Sequence, residues 1–248
     1  MMPRWLAERG RYLRNLAGAL TLSIILCTQG IAVAESPHPP IEPATAVSAS
    51  DERILGLIPN YQTVSNPKLP YTPLSRKQKW ALSIKETIDP FNVASAAMGA
   101  GISQLGNETP KYGHGGGAYG KRFGAALGDV ATQNLFSAGL LASALHQDPR
   151  YFRKGPQASI LNRVVYSVSR VVITKNDSGR SAFNASGVFG MALGIAASNV
   201  YYPSDSIRGS VMAERLTTSI TGGITGNLLS EFWPDLEKIE KKLFHRRN

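Results

Sequence analysis

The sequence is poor in the residues that most often carry chemistry. Its 248 residues include one cysteine, Cys27, and four histidines. No group of His, Cys, Asp and Glu has the spacing of a metal site. There is also no Gly-x-Ser-x-Gly elbow, phosphate-binding loop or His-Glu-x-x-His motif. The sequence therefore predicts neither a metal nor a cofactor, and it carries no signature of a known catalytic class.

The first 34 residues have the pattern of a secretory signal peptide. Four arginines precede an apolar run over residues 16–34, which ends in Ala32-Val33-Ala34. A basic segment, an apolar segment and a small-x-small site predict cleavage before Glu35. A retained anchor is the alternative, although Thr, Ser, Gln and Gly interrupt the run. A lipoprotein signal at Cys27 is less favoured because the preceding Leu26 is large. We expect export to the periplasm or cell envelope.

Export also determines the redox and charge properties of the predicted mature chain. Removing residues 1–34 takes away the only cysteine, four arginines and one glutamate, leaving 23 basic and 16 acidic residues, a net charge of +7. Without disulfides, stability must come from burial. The charge favours an anionic membrane surface or envelope polymer as partner, and simple solubility is the alternative. Nucleic acid is not expected for an exported chain, although basic residues are dense near Lys238 and Arg246.

Proline separates two parts of the remaining chain. Residues 35–74 are proline-rich, which predicts a leader over 35–50 followed by an extended strap, with a short edge strand as the alternative. Residues 75–248 have helical periodicity and predict an all-α, glycine-rich bundle of five to seven helices. Caps and breakers place these helices at about 75–87, 90–105, 119–146, 156–172, 184–202, 207–232 and 234–244.

Small residues recur at every fourth position in three of these helices. They lie at Gly120, Gly124 and Gly128, at Gly190, Gly194 and Ser198, and at Gly222 and Gly226. Positions four apart share one helix face, and small residues there let another backbone approach closely. The spacing predicts close packing between helices and allows for association with partner helices or a second copy of the chain.

The segment over residues 185–202 has no charged residue and has aromatic residues near both ends. These features are typical of a membrane-spanning helix, but the segment is short and rich in Gly, Ala, Ser and Asn. We therefore favour a central buried helix. Peripheral membrane contact stays open as the alternative.

Candidate catalytic residues are few. His146, Asp148 and Arg150 follow the long helix, where Asp148 could orient the His146 imidazole or pair with Arg150. His114 lies in a glycine-rich loop that could cover a pocket. A cap and loop contact is the favoured role of the His146 segment. A third polar cluster is interpreted as structural, and it comprises Asp177, Arg180, Asn184, Glu214 and Arg215.

Three motifs together resemble an uncharacterised family of exported bacterial proteins. They are Tyr119-Gly120-Lys121-Arg122-Phe123-Gly124, His146-Gln147-Asp148-Pro149-Arg150-Tyr151-Phe152-Arg153-Lys154-Gly155 and Asn199-Val200-Tyr201-Tyr202-Pro203. The resemblance covers the chain from about Arg53 onwards. It implies a shared architecture, but no activity and no catalytic residues.

Two functions follow as hypotheses. The first is a non-enzymatic envelope protein that packs through small-residue helix faces and contacts a membrane or partner helices. The second is a hydrolase or ligand-binding enzyme whose site surrounds His146, Asp148 and Arg150, with His114 above it.

Overall fold

The chain is predominantly helical, as predicted. The computed structural model describes residues 53–54, 58–65 and 70–245, with side chains up to residue 238. The predicted signal peptide, the leader and part of the strap lie outside the described residues. Six helices are found in the described part: α1 Arg76–Thr87, α2 Pro90–Leu105, α3 Gly116–Asn134, α4 Ile160–Ser169, α5 Ala185–Ser198 and α6 Gly209–His245. Helix α3 continues through a π-helical segment, Leu135–Leu141, and one α turn, Ala142–Ala144.

Three small sheets correct the all-α prediction. Their strands are β1 Arg53–Ile54, β2 Ile58–Pro59, β3 Thr63–Val64, β4 Gln147–Asp148, β5 Tyr151–Phe152, β6 Ile173–Asn176 and β7 Ser181–Phe183. β1 pairs with β2, β3 runs parallel to β5, and β4, β6 and β7 form an antiparallel sheet. The described part of the strap therefore forms short strands. Strands of two to four residues are too short to show the alternation of apolar and polar residues from which a strand is predicted.

Local capping explains where most helices begin. Ser75 and Gln78 form a capping box at α1, and the Asp89 carboxylate accepts from the Phe91 N–H at α2. The predicted start of α4 at Pro156 is wrong. The helix begins at Ile160 because the Ser159 hydroxyl accepts from the Asn162 N–H.

Pro234 does not break the last helix, contrary to the prediction. α6 runs through it, although a proline inside a helix has no N–H to donate to the carbonyl four residues earlier. That carbonyl belongs to Ser230, and the Arg153 Nε donates to it at 2.7 Å. A side chain from the β5 region thus replaces the missing helical hydrogen bond.

Two helices bury polar residues and expose apolar ones. α1 buries Lys79, Ser83 and Glu86, whereas Trp80 and Ile84, which we predicted to supply apolar contacts, are exposed. α4 buries Arg163 and Ser167 and exposes Val165 and Val168. Lys79 and Arg163 form ion pairs with Asp177 and Glu231, whereas the Ser83 hydroxyl and the Glu86 Oε1 atom have no hydrogen-bond partner among the described residues.

The glycine positions differ sharply in their surroundings. A Cβ atom at Gly190 would lie 2.5 Å from the Ser137 Cα, and one at Gly194 would lie 3.1 Å from the Gln133 Cα. Helix α5 thus lies directly against α3 and its π-helical continuation. At Gly128 the close neighbour is the ring of Tyr201, at 3.0 Å.

The prediction of close packing was wrong for the other glycines. A Cβ atom would meet nothing within 4 Å at Gly120, Gly124, Gly222 or Gly226, and all four are exposed. The four-residue spacing identifies a helix face, but whether a neighbour covers that face depends on the tertiary fold.

Candidate functional site

A cavity of about 280 Å³ lies where several of the structural elements meet. α1, α3, the loop between β4 and β5, the start of α5 and the middle of α6 each contribute residues to its wall. Its polar lining includes Gln62, Glu86, Gln133, Asn134, Arg170 and Asn227. A concave site with convergent polar side chains is the usual form of a small-molecule site.

Arg170 is the distinctive residue of this wall. It caps the C-terminus of α4 and is only 7% exposed. Within the described part of the chain its guanidinium has no ion pair or hydrogen bond. Its close contact is the Tyr166 ring, whose centroid is 5.6 Å from Cζ. Burial lowers the pKa of Arg170 from its usual value, and the charge of Asp148, which is paired with Arg150, opposes this shift only in part. A buried cation without an anionic partner is costly, so this guanidinium favours an anion in the cavity.

Glu86 lies on another part of the wall and is buried on α1. Burial raises the pKa of its carboxyl to about 8, and the charge of Asp89 adds to the effect. Its Oε1 atom accepts no hydrogen bond from the described residues. At neutral pH this carboxyl is mostly protonated, so it offers a hydrogen-bond donor and carries little charge.

Carboxamides complete the polar lining. The Gln133 Oε1 accepts from the Ser219 hydroxyl at 3.1 Å, and the Asn227 Nδ2 donates to the Ser167 carbonyl at 3.3 Å. No hydrogen bond joins the Gln62 side chain, the Gln133 Nε2 or the Asn227 Oδ1 to another described residue. These groups therefore remain free to donate to or accept from a bound molecule.

The sequence-predicted catalytic residues do not converge. The buried Asp148 carboxylate accepts from the Arg150 Nε at 2.9 Å, from the Arg150 Nη2 at 2.7 Å and from the Tyr71 hydroxyl at 3.0 Å. His146 has a positive φ of 52° where the long helix ends, and its side chain is 65% exposed. Its Nδ1 lies 3.6 Å from Asp177, and it forms no hydrogen bond or ion pair with Asp148. Of the two roles considered for Asp148, pairing with Arg150 is the one observed.

Arg150 is the only member of that trio in the cavity wall. Its Nη2 also donates to the Thr72 carbonyl at 2.6 Å, so the side chain fastens the loop after β4 to the segment before α1. His114 is exposed and does not line the cavity. Arg122 holds its loop by donating to the Gly113 and Thr109 carbonyls at 3.0 and 2.9 Å.

The third predicted cluster is dispersed. Asp177 binds the buried Lys79 Nζ at 2.7 Å, and Asn184 caps α5. Arg215 stacks on the Tyr202 ring, with Cζ 3.5 Å from its centroid. Arg180 and Glu214 are exposed. The contacts of Asp177, Asn184 and Arg215 join loops and helix ends to neighbouring elements.

A second feature is an exposed apolar surface. Leu161, Val165, Val168 and Val172 follow one face of α4 and its end, at helical spacing. The surface continues onto the neighbouring sheet, where Ile173 pairs with Phe183, and from Phe183 to Phe189, whose ring centroid is 6.4 Å away. We call these seven residues the apolar strip: Leu161, Val165, Val168, Val172, Ile173, Phe183 and Phe189.

Among the residues that the structure describes, none of the helices is long and apolar enough to cross a membrane. In the same part of the chain, no group of three or more His, Cys, Asp or Glu could hold a metal ion. No protein-family model, curated protein or solved structure matches the chain, so the family resemblance stays a prediction.

Proposed function

We propose that this chain is a non-enzymatic protein of the bacterial cell envelope that attaches peripherally to an anionic membrane through the apolar strip. The observation that carries the proposal is the continuity of that exposed surface over α4, β6, β7 and α5. Contiguous apolar patches of this kind mark interaction sites on soluble domains.

The inverted polarity of α4 supports the same role. Its polar face is occupied inside the fold, where Arg163 binds Glu231 at 2.8 Å. The helix is strongly amphipathic, and its apolar face points away from the fold. An amphipathic helix with an outward apolar face has the form that lies in a membrane interface.

Charge around the strip also favours an anionic surface. Acidic residues are scarce near the strip, since residues 149–200 contain a single one, Asp177. Lys175 and Arg180 belong to the β6–β7 hairpin that also carries Ile173 and Phe183. Basic residues beside an apolar surface add about 1 kcal/mol each to binding at an anionic membrane.

The test is fractionation of cells that express the full sequence, with salt and carbonate washes, followed by sedimentation of the purified protein with anionic or uncharged vesicles. We expect binding to anionic vesicles that weakens with salt. The variant Leu161→Gln, Val165→Thr, Val168→Thr should lose it.

A matched control lies on α2, where Met98, Ile102 and Leu105 are exposed with the same spacing. Met98→Gln, Ile102→Thr, Leu105→Gln should leave binding intact. Equal loss in both triple variants would contradict a role for the strip. A stable dimer that the strip variant dissociates, with no vesicle binding, would identify a second copy of the chain as the partner instead.

A further inference from the structure

We infer that the central cavity binds a small hydroxylated carboxylic acid, of the sugar-acid class, with its carboxylate on the Arg170 guanidinium. The inference does not depend on membrane attachment, because the cavity and the apolar strip are formed by different residues.

The first step is the charge of the cavity. Arg170 is nine-tenths buried, lines the cavity and has no hydrogen-bond or ion-pair partner among the described residues. None of its guanidinium nitrogens belongs to the fully enclosed, unpaired polar atoms, so solvent reaches them. Arg170 is otherwise buried and lines the cavity, so a ligand there lies beside this side chain. The guanidinium geometry matches a carboxylate with two parallel hydrogen bonds.

The second step is that two other arginines of the same region are paired with carboxylates. Arg163 lies on the same face of α4, one heptad before Arg170, and binds both Glu231 and Asp235 at 2.8 and 2.6 Å. Arg150 binds Asp148 at 2.7 Å. Arg170 differs from Arg163 and Arg150 in having no ion pair with a carboxylate of the described residues, so a carboxylate from a ligand fits the position.

The third step is the neutral part of the ligand. Gln62, Gln133 and Asn227 present unclaimed amide groups to the cavity, and the mostly protonated Glu86 carboxyl adds a donor. Such groups match hydroxyls, which both donate and accept. A volume of about 280 Å³ is close to the lower end of small-molecule sites, which suits a single sugar ring.

The test is calorimetric titration of the purified protein, expressed from the full sequence, with D-glucuronate, D-glucuronamide and acetate. We expect D-glucuronate to bind best. D-glucuronamide, which lacks the negative charge, should bind at least about tenfold more weakly, since hydrogen bonds to charged groups contribute about 1.5–3 kcal/mol. Acetate, which lacks the hydroxyls, should also bind more weakly. These comparisons use the unmodified protein and so do not depend on a variant that folds.

Two variants then test whether the ligand binds at Arg170. Arg170→Gln should weaken D-glucuronate binding at least about tenfold. Arg180→Gln, which removes an exposed arginine outside the cavity, should not change it. Equal affinity for D-glucuronate and D-glucuronamide, equal affinity for D-glucuronate and acetate, unchanged affinity in Arg170→Gln, or no heat of binding with any of the three compounds would overturn the inference.

Discussion

The Cα atom of Ser137 lies 2.5 Å from the position that a Cβ atom on Gly190 would occupy. Ser137 belongs to the π-helical segment that continues α3, and Gly190 is buried in the middle of α5. Two carbon atoms of separate, non-bonded groups cannot approach to that distance, so a side chain at position 190 would force the two helices apart. This contact allows α5 to pack against the centre of the long helix.

The first prediction compares the same substitution at two helical glycines with different surroundings. Gly190→Ala should lower the free energy of unfolding by about 3 kcal/mol, because the added methyl group overpacks a rigid backbone contact. Gly124→Ala should raise it by about 0.5–1 kcal/mol, because that position is open and alanine favours a helix. Urea denaturation measures both. A similar change in the two variants would show that α5 and the π-helical segment are not in close contact.

The sequence alone could locate the helix faces but not their neighbours. Gly120 and Gly124 repeat with the same spacing as Gly190 and Gly194, yet only the second pair meets another backbone. The helix starts at Ser75 and Asp89 were predicted correctly because their signals are local. The two-residue strands depend on pairing between distant segments, such as Thr63 with Tyr151, which no local pattern specifies.

The second prediction concerns Arg153 and Pro234. Since the Arg153 Nε supplies the donor that Pro234 lacks, Arg153→Met should cost stability in the natural sequence. In a Pro234→Ala background the helix regains its own N–H for the Ser230 carbonyl, so the same change should cost about 1 kcal/mol less. A double-mutant cycle measured by urea unfolding gives this coupling. Strictly additive changes would show that the two residues act independently.

The third prediction concerns Glu86 and pH. Burial raises the pKa of its carboxyl to about 8 in the folded protein, above the ordinary value of 4.5. The unfolded chain therefore ionises first, and stability falls as pH rises from about 4.5 to about 8, by a few kcal/mol in total. Glu86→Gln keeps the shape of the protonated side chain and cannot ionise. Thermal unfolding should show a gain for this variant at pH 8 and little change at pH 4.

The assignment of this pH dependence to Glu86 can be checked separately. Asp89 is the charged neighbour that raises the Glu86 pKa, and Arg53 offsets its charge through a contact of 2.6 Å. Replacing Glu86 should therefore remove most of the pH dependence in this range, while replacement of the exposed Glu214 should leave it unchanged. A wild-type-like pH profile in Glu86→Gln would contradict the assignment.

The candidate site was less predictable than the fold. Histidines and aspartates near a helix end drew attention to His146 and Asp148, but Asp148 serves to hold Arg150 and His146 faces solvent. The cavity residues Arg170 and Glu86 gave only a weak signal. Arg170 follows Arg163 by seven residues within a valine-rich segment, a spacing that places both on one helix face. Standard amphipathic patterning assigns such charges to solvent, whereas this fold places them inside.

The fourth prediction concerns Glu231, which is completely buried and joins four elements. Its carboxylate accepts from the Arg163 Nε, the Tyr151 hydroxyl and the Lys154 and Gly155 N–H groups, at 2.8 to 2.9 Å. Burial alone would raise the pKa of this carboxyl, but the hydrogen bonds from Arg163 and the other donors outweigh it and lower the pKa. The ionised form is thus the one that the fold requires.

Glu231→Gln should therefore lower the free energy of unfolding at pH 7 by about 3 kcal/mol, because Arg163 loses a buried partner and keeps only Asp235. The stabilisation from Glu231 is fully present above the ordinary glutamate pKa and is lost as pH falls through the lowered value in the folded state. The difference in free energy of unfolding between the natural protein and Glu231→Gln should consequently shrink in acid.

Tyr151→Phe removes one of the four donors to the Glu231 carboxylate and should cost less, about 1 kcal/mol. Urea unfolding of the three proteins between neutral and acidic pH measures these differences, and a gap that stays constant with pH would mean that Glu231 is not ionised in the fold.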